Sequence, residues 1–321
     1  VLGNAQKPDA KKIDSINNLP FEIRLKDAAI LDKVYLKNAD EAAKIHYDLG
    51  EAKSYSNLSL VYYYQGKYEK DLDYSLKAIR IFEKLDDQEN LSLEWGELGY
   101  RMKKRHLERA LQYMQKAKYI AEKNALRKPL LSIYNNYGVL KEMKKEYDSA
   151  LFFYKKGLVL KQRINDQVGI PYSLNNIAGV FVLRKQFDKA EENYQKALKI
   201  RQKINDTVGI AENYSYLGDV YFTKNDLKKA IGFYQKTTKI TDEHKYLGLS
   251  QDTYRKISEC YEALGDHQNA LQNFKKFSSI KDSLINHETN AKIAELEVKF
   301  DTNEKEKQLL QKQAEVETSR I

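Results

Sequence analysis

The chain has 321 residues, of which 55 are basic and 46 acidic, giving a formal net charge of +9. With only 4 prolines and 14 glycines, it is expected to be nearly all helix with short connections. The single cysteine, Cys260, excludes an intramolecular disulfide. Because acidic residues are interspersed among the basic ones, we expect a solvated surface and no nucleic-acid partner.

The chain begins with VLGNAQ. Gly3 and Ala5 fit the small-residue positions of a secretory cleavage site, which would place the mature start at Gln6. This pattern favours a periplasmic, extracytoplasmic location over a cytoplasmic one. Residues 1–20 are accordingly interpreted as a signal-peptide remnant and an N-terminal tail.

The central part of the chain repeats itself every 40 residues. RINDQVGI at 163–170 returns as KINDTVGI at 203–210. Self-similarity at a period of about 20 to 50 residues is typical of solenoids, in which each unit buries its apolar face against its neighbours. The period therefore predicts an array of similar units.

Each INDxVGI segment is predicted to be a junction between helices. Asn165 and Asn205 can adopt the left-handed conformation that ends one helix. Asp166 and Asp206 can cap the N-terminus of the next. The paired acids Asp86 and Asp87 fall at an equivalent junction, where capping explains them.

Each unit contains two helical patterns. In the second helix, a small residue is followed four positions later by a large residue. Seven positions after the first comes a third residue, which is small in most repeats. This spacing places all three on one face of the helix. The three columns are Ala110, Ala150, Ala190, Ala230, Ala270; Met114, Tyr154, Tyr194, Tyr234, Phe274; and Ala117, Gly157, Ala197, Thr237, Phe277. The first helix carries a large residue followed by a small one, as in Leu98-Gly99, Tyr137-Gly138 and Leu217-Gly218. Each unit is thus predicted to be a helical hairpin that crosses at its small residues.

These columns resemble the tetratricopeptide repeat, whose pattern is W-x2-L-G-x2-Y followed by A-x3-F-x2-A. Trp95-x2-Leu98-Gly99 matches its opening, and Leu217-Gly218-x2-Tyr221 matches it again. The resemblance implies an all-α, right-handed superhelical solenoid of antiparallel hairpins. Because the family's usual unit is about 34 residues, a period of 40 implies longer helices.

The solenoid is predicted to cover residues 21–282, with about six full repeats. The first full unit fits less well, because Asp71 and Ser75 stand where later units have alanine and an aromatic residue. A partial hairpin is expected before it, from Phe21 to Leu49.

Residues 283–321 are predicted to form a long C-terminal helix, because they contain neither proline nor glycine. Its heptad seam is weak, so the helix can cap the last hairpin, pair with a second copy in a homodimer, or extend as a stalk. The segment at 292–313 resembles the helix that follows tetratricopeptide arrays in membrane-bound sensor histidine kinases of the Bacteroidetes type. That resemblance implies a two-component signalling role, with the membrane span lying outside this chain. The alternatives are a stand-alone scaffold or peptide receptor, and the repeat region of a transcriptional regulator.

No catalytic constellation is found in the sequence. The five histidines have no metal-ligand spacing, and no glycine-rich phosphate loop or nucleophile elbow occurs. We therefore expect a non-enzymatic chain without cofactor or metal.

The expected activity is binding of a peptide or protein along the first helices. The residue before each large position forms what we call the groove column: Asn57, Glu97, Asn136, Asn176, Tyr216 and Lys256. An asparagine amide can both donate to and accept from a peptide backbone. The candidate binding residues are Asn57, Asn135, Asn136, Asn175, Asn176, Tyr172, Glu212, Tyr216 and Arg255. The alternative is that the asparagines hold neighbouring hairpins together.

Overall fold

The computed structural model describes residues 9–20 and 28–284, and within these ranges it contains helices and short junctions but no strand. The predicted all-α class is confirmed. The helices are α1 Ala10–Asn17, α2 Ala28–Lys44, α3 Asp48–Tyr64, α4 Tyr68–Lys84, α5 Gln88–Met102, α6 Leu107–Lys123, α7 Arg127–Met143, α8 Tyr147–Arg163, α9 Gly169–Leu183, α10 Phe187–Lys203, α11 Thr207–Thr223, α12 Leu227–His244, α13 Leu247–Ala263 and α14 at 267–284.

The chain divides into two compact units, Val1–Val180 and Phe181–Ile321. In the first unit α3 packs on α4, α5 on α6 and α7 on α8, and in the second α11 packs on α12. Short connections join the helices of each pair, as expected for antiparallel hairpins. First helices of successive hairpins also touch, α5 with α7 and α11 with α13. The predicted hairpin repeat is therefore present in both units.

The alanine column lies in the core of the hairpins. Ala110, Ala150, Ala190 and Ala230 have no exposed surface. The following large residues Met114, Tyr154, Tyr194 and Tyr234 are also buried. Phe274 differs, since its side chain is half exposed on α14, the last described helix.

Glycine is required where two helices of a hairpin approach most closely. A Cβ on Gly99 would lie 2.9 Å from the carbonyl oxygen of Ala110 and 3.1 Å from the amide nitrogen of Met114. A Cβ on Gly218 would collide with the ring of Tyr234, reaching 2.6 Å from its Cδ1. These contacts explain the small-residue column of the first helices.

The junctions have the predicted geometry. Asn165 and Asn205 have φ angles of 53° and 56°. The Oδ1 atoms of Asp166 and Asp206 accept hydrogen bonds from the amides three residues later, at 2.7 and 2.9 Å. Asp87 caps α5 in the same manner, with 3.0 Å to the amide of Asn90. The left-handed residue is a general feature of the junctions, shared by His46, Asp86, Ala125, Lys145, Lys185, Asn225 and Lys245.

The glycine of the duplicated motif has a second structural role that the sequence pattern does not indicate. It leaves room for a buried cation from the preceding helix. A Cβ on Gly209 would lie 2.6 Å from Arg201 Cδ, and one on Gly169 would lie 3.0 Å from Lys161 Cδ. Arg201 is 1% exposed and donates from Nη1 to Glu212 Oε2 at 2.8 Å. Burial lowers the pKa of Lys161.

The N-terminal segment contains a packed helix that was not predicted. In α1, Ile13 is fully buried. Asn17 is also buried, and its amide donates to the Gly50 carbonyl at 2.9 Å. Helix α1 therefore contributes to the core of the first unit, packing against α2 and α3.

Cys260 is fully buried, and burial raises the pKa of its thiol to about 11. The predicted C-terminal helix at 283–321 lies outside the described residues, apart from 283 and 284 in α14. In the described part of the chain, no helix has both the length and the apolar character needed to span a membrane.

Candidate peptide-binding surface

The groove column lies on the first helices of the hairpins. In the first unit its residues are on α3, α5, α7 and α9, and in the second they are on α11 and α13. Because first helices of successive hairpins touch in the pairs α5–α7 and α11–α13, side chains at equivalent positions of these helices come close together. The candidate residues divide between the two units.

Three asparagines of the first unit form a hydrogen-bonded chain. Asn176 Nδ2 donates to Asn135 Oδ1 at 2.7 Å, which links α9 to α7. Asn135 Nδ2 in turn faces Asn136 Oδ1 at 3.4 Å. The structure thus supports the alternative in which asparagines hold neighbouring hairpins together, for the pair Asn135 and Asn176.

The same chain leaves two polar atoms for a ligand. Within the described residues, neither Asn136 Nδ2 nor Asn176 Oδ1 has a hydrogen-bond partner, and both residues are partly exposed. One donor and one acceptor are what a peptide unit needs for its carbonyl and its amide. Bridging between hairpins and ligand binding are therefore compatible at this site.

Asn57 has a different environment. It is buried, and its Nδ2 donates to the carbonyl oxygen of Asn17 at 3.0 Å. This bond holds α1 against α3. The sequence could not indicate this contact, because the segment that holds Asn17 was expected to be a tail.

The two remaining candidates of the first unit lie on α9. Asn175 is buried, whereas the ring of Tyr172 is half exposed. Tyr172 therefore presents an aromatic face at the surface, one turn before Asn176.

The candidates of the second unit contact one another less directly. Glu212 is held by Arg201, and the ring of Tyr216 stacks on Tyr194 with a centroid distance of 5.3 Å. Burial raises the pKa of the Tyr216 hydroxyl, with Glu212 adding to the effect. Arg255 forms ion pairs with Asp252, at 2.7 Å, and with Glu259. Glu212 and Arg255 therefore already have charged partners within their own unit.

A cavity of about 460 Å³ lies between α3 and α5, at the position of the groove column. Glu97 lines it, although the sequence analysis did not select this residue. Its place in the groove column could have identified it as a candidate. It was not selected because the expected binding groups were asparagine amides, and Glu97 has a carboxylate. In the described ranges, no group of histidine, cysteine and acidic side chains is arranged to hold a metal ion.

Comparison with family models identifies the repeats. A tetratricopeptide repeat model matches residues 170–243, and a second matches residues 52–85. The chain therefore carries tetratricopeptide repeats, as its columns predicted. A search of curated proteins found no match.

Solved structures share the fold. BtubC (BKLC) from P. vanneervenii superposes with a TM-score of 0.60 and 20% identity, over 67% of this chain and 91% of that one. A Rap protein complexed with Competence and Sporulation Factor superposes with a TM-score of 0.58 and 16% identity, over 83% of this chain and 73% of that one. A third structure is a signal transduction ATPase with numerous domains and a tetratricopeptide repeat sensor, from Pyrococcus horikoshii. It superposes with a TM-score of 0.62 and 18% identity, over 82% of this chain and 43% of that one. The chain thus spans less than half of that last protein, and at these identities the likeness concerns the fold alone.

Proposed function

We propose that this chain is a non-catalytic module that binds a peptide or a protein segment along the groove column. The observation that carries the proposal is the asparagine chain, which leaves Asn136 Nδ2 and Asn176 Oδ1 for a backbone amide. Such contacts hold a main chain without selecting its side chains. The complex of a Rap protein with Competence and Sporulation Factor adds that a chain of similar fold binds a partner.

The test uses terminally blocked peptide pools of random sequence, with binding measured by fluorescence anisotropy. The double variant Asn136→Ala, Asn176→Ala removes both free polar atoms. Two hydrogen bonds of about 0.5–1.5 kcal/mol each predict weaker binding on the order of 5- to 100-fold.

The free energy of unfolding of the double variant shows whether the asparagines bind a peptide or only hold neighbouring hairpins together. The double variant also loses the bonds from Asn176 to Asn135 and from Asn135 to Asn136, so we expect a cost of about 1–3 kcal/mol in the free energy of unfolding. The control is Asn193→Ala, whose side-chain amide donates to the Lys189 carbonyl within its own helix. Unchanged affinity together with a large loss of stability would show that the asparagines only hold the hairpins together.

The finer proposal is that the module is the extracytoplasmic sensor region of a membrane-bound histidine kinase in a two-component system. One support is that the segment at 292–313 resembles the helix that follows tetratricopeptide arrays in such kinases. The other is the VLGNAQ sequence, which fits a secretory cleavage site. In this proposal, binding alters the repeat array and the signal passes through the C-terminal helix, which also pairs two copies. The full reading frame tests it: a membrane span is expected within about 30 residues after Ile321. A stop codon there would contradict it and favour a stand-alone peptide receptor.

A further inference from the structure

The cavity between α3 and α5 combines aromatic walls with a carboxylate. Tyr63 and Tyr64 of α3 and Tyr100 of α5 line it together with Glu97. Its volume of about 460 Å³ lies in the range of about 300–1,000 Å³ that is usual for ligand pockets. Since Glu97 belongs to the groove column, the cavity opens where a bound peptide would pass.

The carboxylate of Glu97 has no internal partner in the described residues. No hydrogen bond to it is present, and no cation lies within 4.0 Å. Lys53 lines a smaller adjoining cavity of about 170 Å³ and forms no ion pair with Glu97. Burial raises the pKa of Glu97, and Glu94 adds to this, while Arg101 and Lys103 act in the opposite direction. The free protein therefore keeps a partly desolvated acid whose charge is incompletely balanced.

The two arginines near Glu97 form ion pairs with other carboxylates. Arg101 donates from Nε to Asp71 at 3.1 Å, and its Nη2 lies 3.4 Å from Glu94 Oε1. Arg105 lies 3.9 Å from the other oxygen of Asp71. These two arginines pair with Asp71 and Glu94, so Glu97 is the one carboxylate of the three without a direct ion pair, although Lys103 and Arg101 act on it from farther away. Arg101 also lines the cavity, but its guanidinium is engaged with Asp71 and Glu94, so the cationic group of a ligand can pair directly with Glu97.

The tyrosine rings suit the same kind of ligand. Lys103 Nζ lies 3.4 Å from the ring centre of Tyr100 and occupies one face of this lining residue, and outside the cavity the Arg105 guanidinium lies 3.4 Å from the ring centre of Tyr68. Aromatic faces attract ammonium and guanidinium groups, most strongly where water is excluded. The rings of Tyr63 and Tyr64 meet edge to face at 5.4 Å and form a further wall of this kind.

We propose that this cavity binds a lysine or arginine side chain of the peptide that the groove column holds, with Glu97 as the acceptor of its charge. The inference rests on the proposed function and adds a specificity to it. The asparagines fix the main chain, and Glu97 selects one side chain. A peptide with a basic residue at the right distance from its backbone contacts would satisfy both.

Four pools of terminally blocked peptides test this specificity. One position is fixed as lysine, arginine, norleucine or glutamate, and the other positions are random. Since a hydrogen bond to a charged group contributes more than a neutral one, the lysine and arginine pools should bind on the order of 10- to 100-fold more tightly than the norleucine pool. The glutamate pool should bind least.

Variants assign the preference to the cavity. Glu97→Gln should reduce the preference for lysine over norleucine to less than about threefold, and Glu97→Lys should reverse the order in favour of the glutamate pool. Glu83→Gln is the matched control, because it removes the same charge from the exposed end of α4. It should keep the full preference.

The outcomes separate this inference from the proposed function. If the pools bind equally, or if Glu97→Gln retains the preference, the cation pocket is wrong while peptide binding stands. If no pool binds, both are wrong. A dimer that becomes a monomer on Glu97→Gln would identify a second copy of the chain as the occupant and contradict the peptide proposal.

The melting temperature provides a further check. Because Glu97→Gln removes an incompletely balanced carboxylate, we expect a Tm equal to or above that of the unchanged protein. A marked fall in Tm would mean that Glu97 supports the hairpins, and the inference would fail.

Discussion

Single residues at the junctions combine two structural functions in a short motif. Asp206 caps α11 through the amide of Gly209, and its Oδ2 lies 3.7 Å from Arg201 Nε. The glycine has no side chain, and this gives the carboxylate and the guanidinium the space to approach each other. Glycine costs conformational entropy in a helix, and here the ion pair of the buried Arg201 with Asp206 offsets that cost.

Replacing this glycine is expected to destabilise the second unit. In Gly209→Ala, the new methyl group would overlap Asp206 Oδ2 and lie 2.6 Å from Arg201 Cδ. Arg201 is 1% exposed and held by Glu212, so it has little freedom to move. We expect a loss of about 1–3 kcal/mol in the free energy of unfolding, measured by urea denaturation.

Gly232→Ala is the matched control in the same unit. It lies within α12, and a Cβ there would meet nothing within 4 Å. Alanine should therefore stabilise by about 0.5–1 kcal/mol through its higher helix propensity. Equal effects from both substitutions would show that the junction glycine serves only its helix and not the buried cation.

Residue-level inference from the sequence succeeded where the chemistry is local. The left-handed Asn165 and Asn205 and the capping Asp166 and Asp206 follow from turn chemistry within a few residues. The cation was missed because Arg201 looked like an ordinary last-turn residue of a helix. Its burial depends on packing between helices, which the spacing of apolar residues does not reveal.

At the scale of helices, a buried charge network ties α3, α4 and α5 together. Arg101 of α5 donates to Asp71 of α4 at 3.1 Å and to Ser75 at 2.7 Å. It also lies 3.2 Å from Ser59 of α3. Burial raises the pKa of Asp71, and Arg101 opposes this shift. The hairpin formed by α3 and α4 fits the repeat pattern least well, because Asp71 and Ser75 replace the usual alanine and aromatic residue. Both of these residues accept hydrogen bonds from the buried Arg101.

Removing the arginine should be costly. In Arg101→Leu, Asp71 and Glu94 would remain buried without their main counter-charge, with an expected loss of about 3–5 kcal/mol. The control Lys196→Leu breaks an exposed pair with Glu192, at 57% and 61% side-chain exposure, and should change stability by at most about 0.5 kcal/mol.

The pH dependence has a definite sign. A carboxyl group whose folded pKa lies above its unfolded value stabilises the fold most below the unfolded pKa and progressively less as the pH rises through the folded pKa. The pKa of Asp71 is already raised from 3.8, and losing Arg101 raises it further. The deficit of Arg101→Leu relative to the unchanged protein should therefore be smaller near about pH 5 than near about pH 8. A deficit independent of pH would mean that lost packing, and not charge, dominates.

At the scale of the whole molecule, the period of 40 was sufficient to predict the hairpins. Small residues at crossing points recur because each hairpin repeats the same contact, and Ala110, Ala150, Ala190 and Ala230 are fully buried. Helix α1 could not be predicted in this manner, since it occurs once and has no copy to compare. The same limit applies to the cavity at Glu97, which depends on how two particular hairpins differ.

A repeat array also predicts how destabilisation spreads. In such arrays each hairpin depends mainly on its immediate neighbours, so perturbations remain local. Arg101→Leu lies in the first unit and Gly209→Ala in the second. Under native conditions, hydrogen exchange followed by mass spectrometry should accelerate mainly in α3 to α6 for the former variant and in α10 to α12 for the latter. If either variant accelerates exchange equally in both units, the chain opens as a single cooperative structure, and a ligand bound at one hairpin would then stabilise all of them alike.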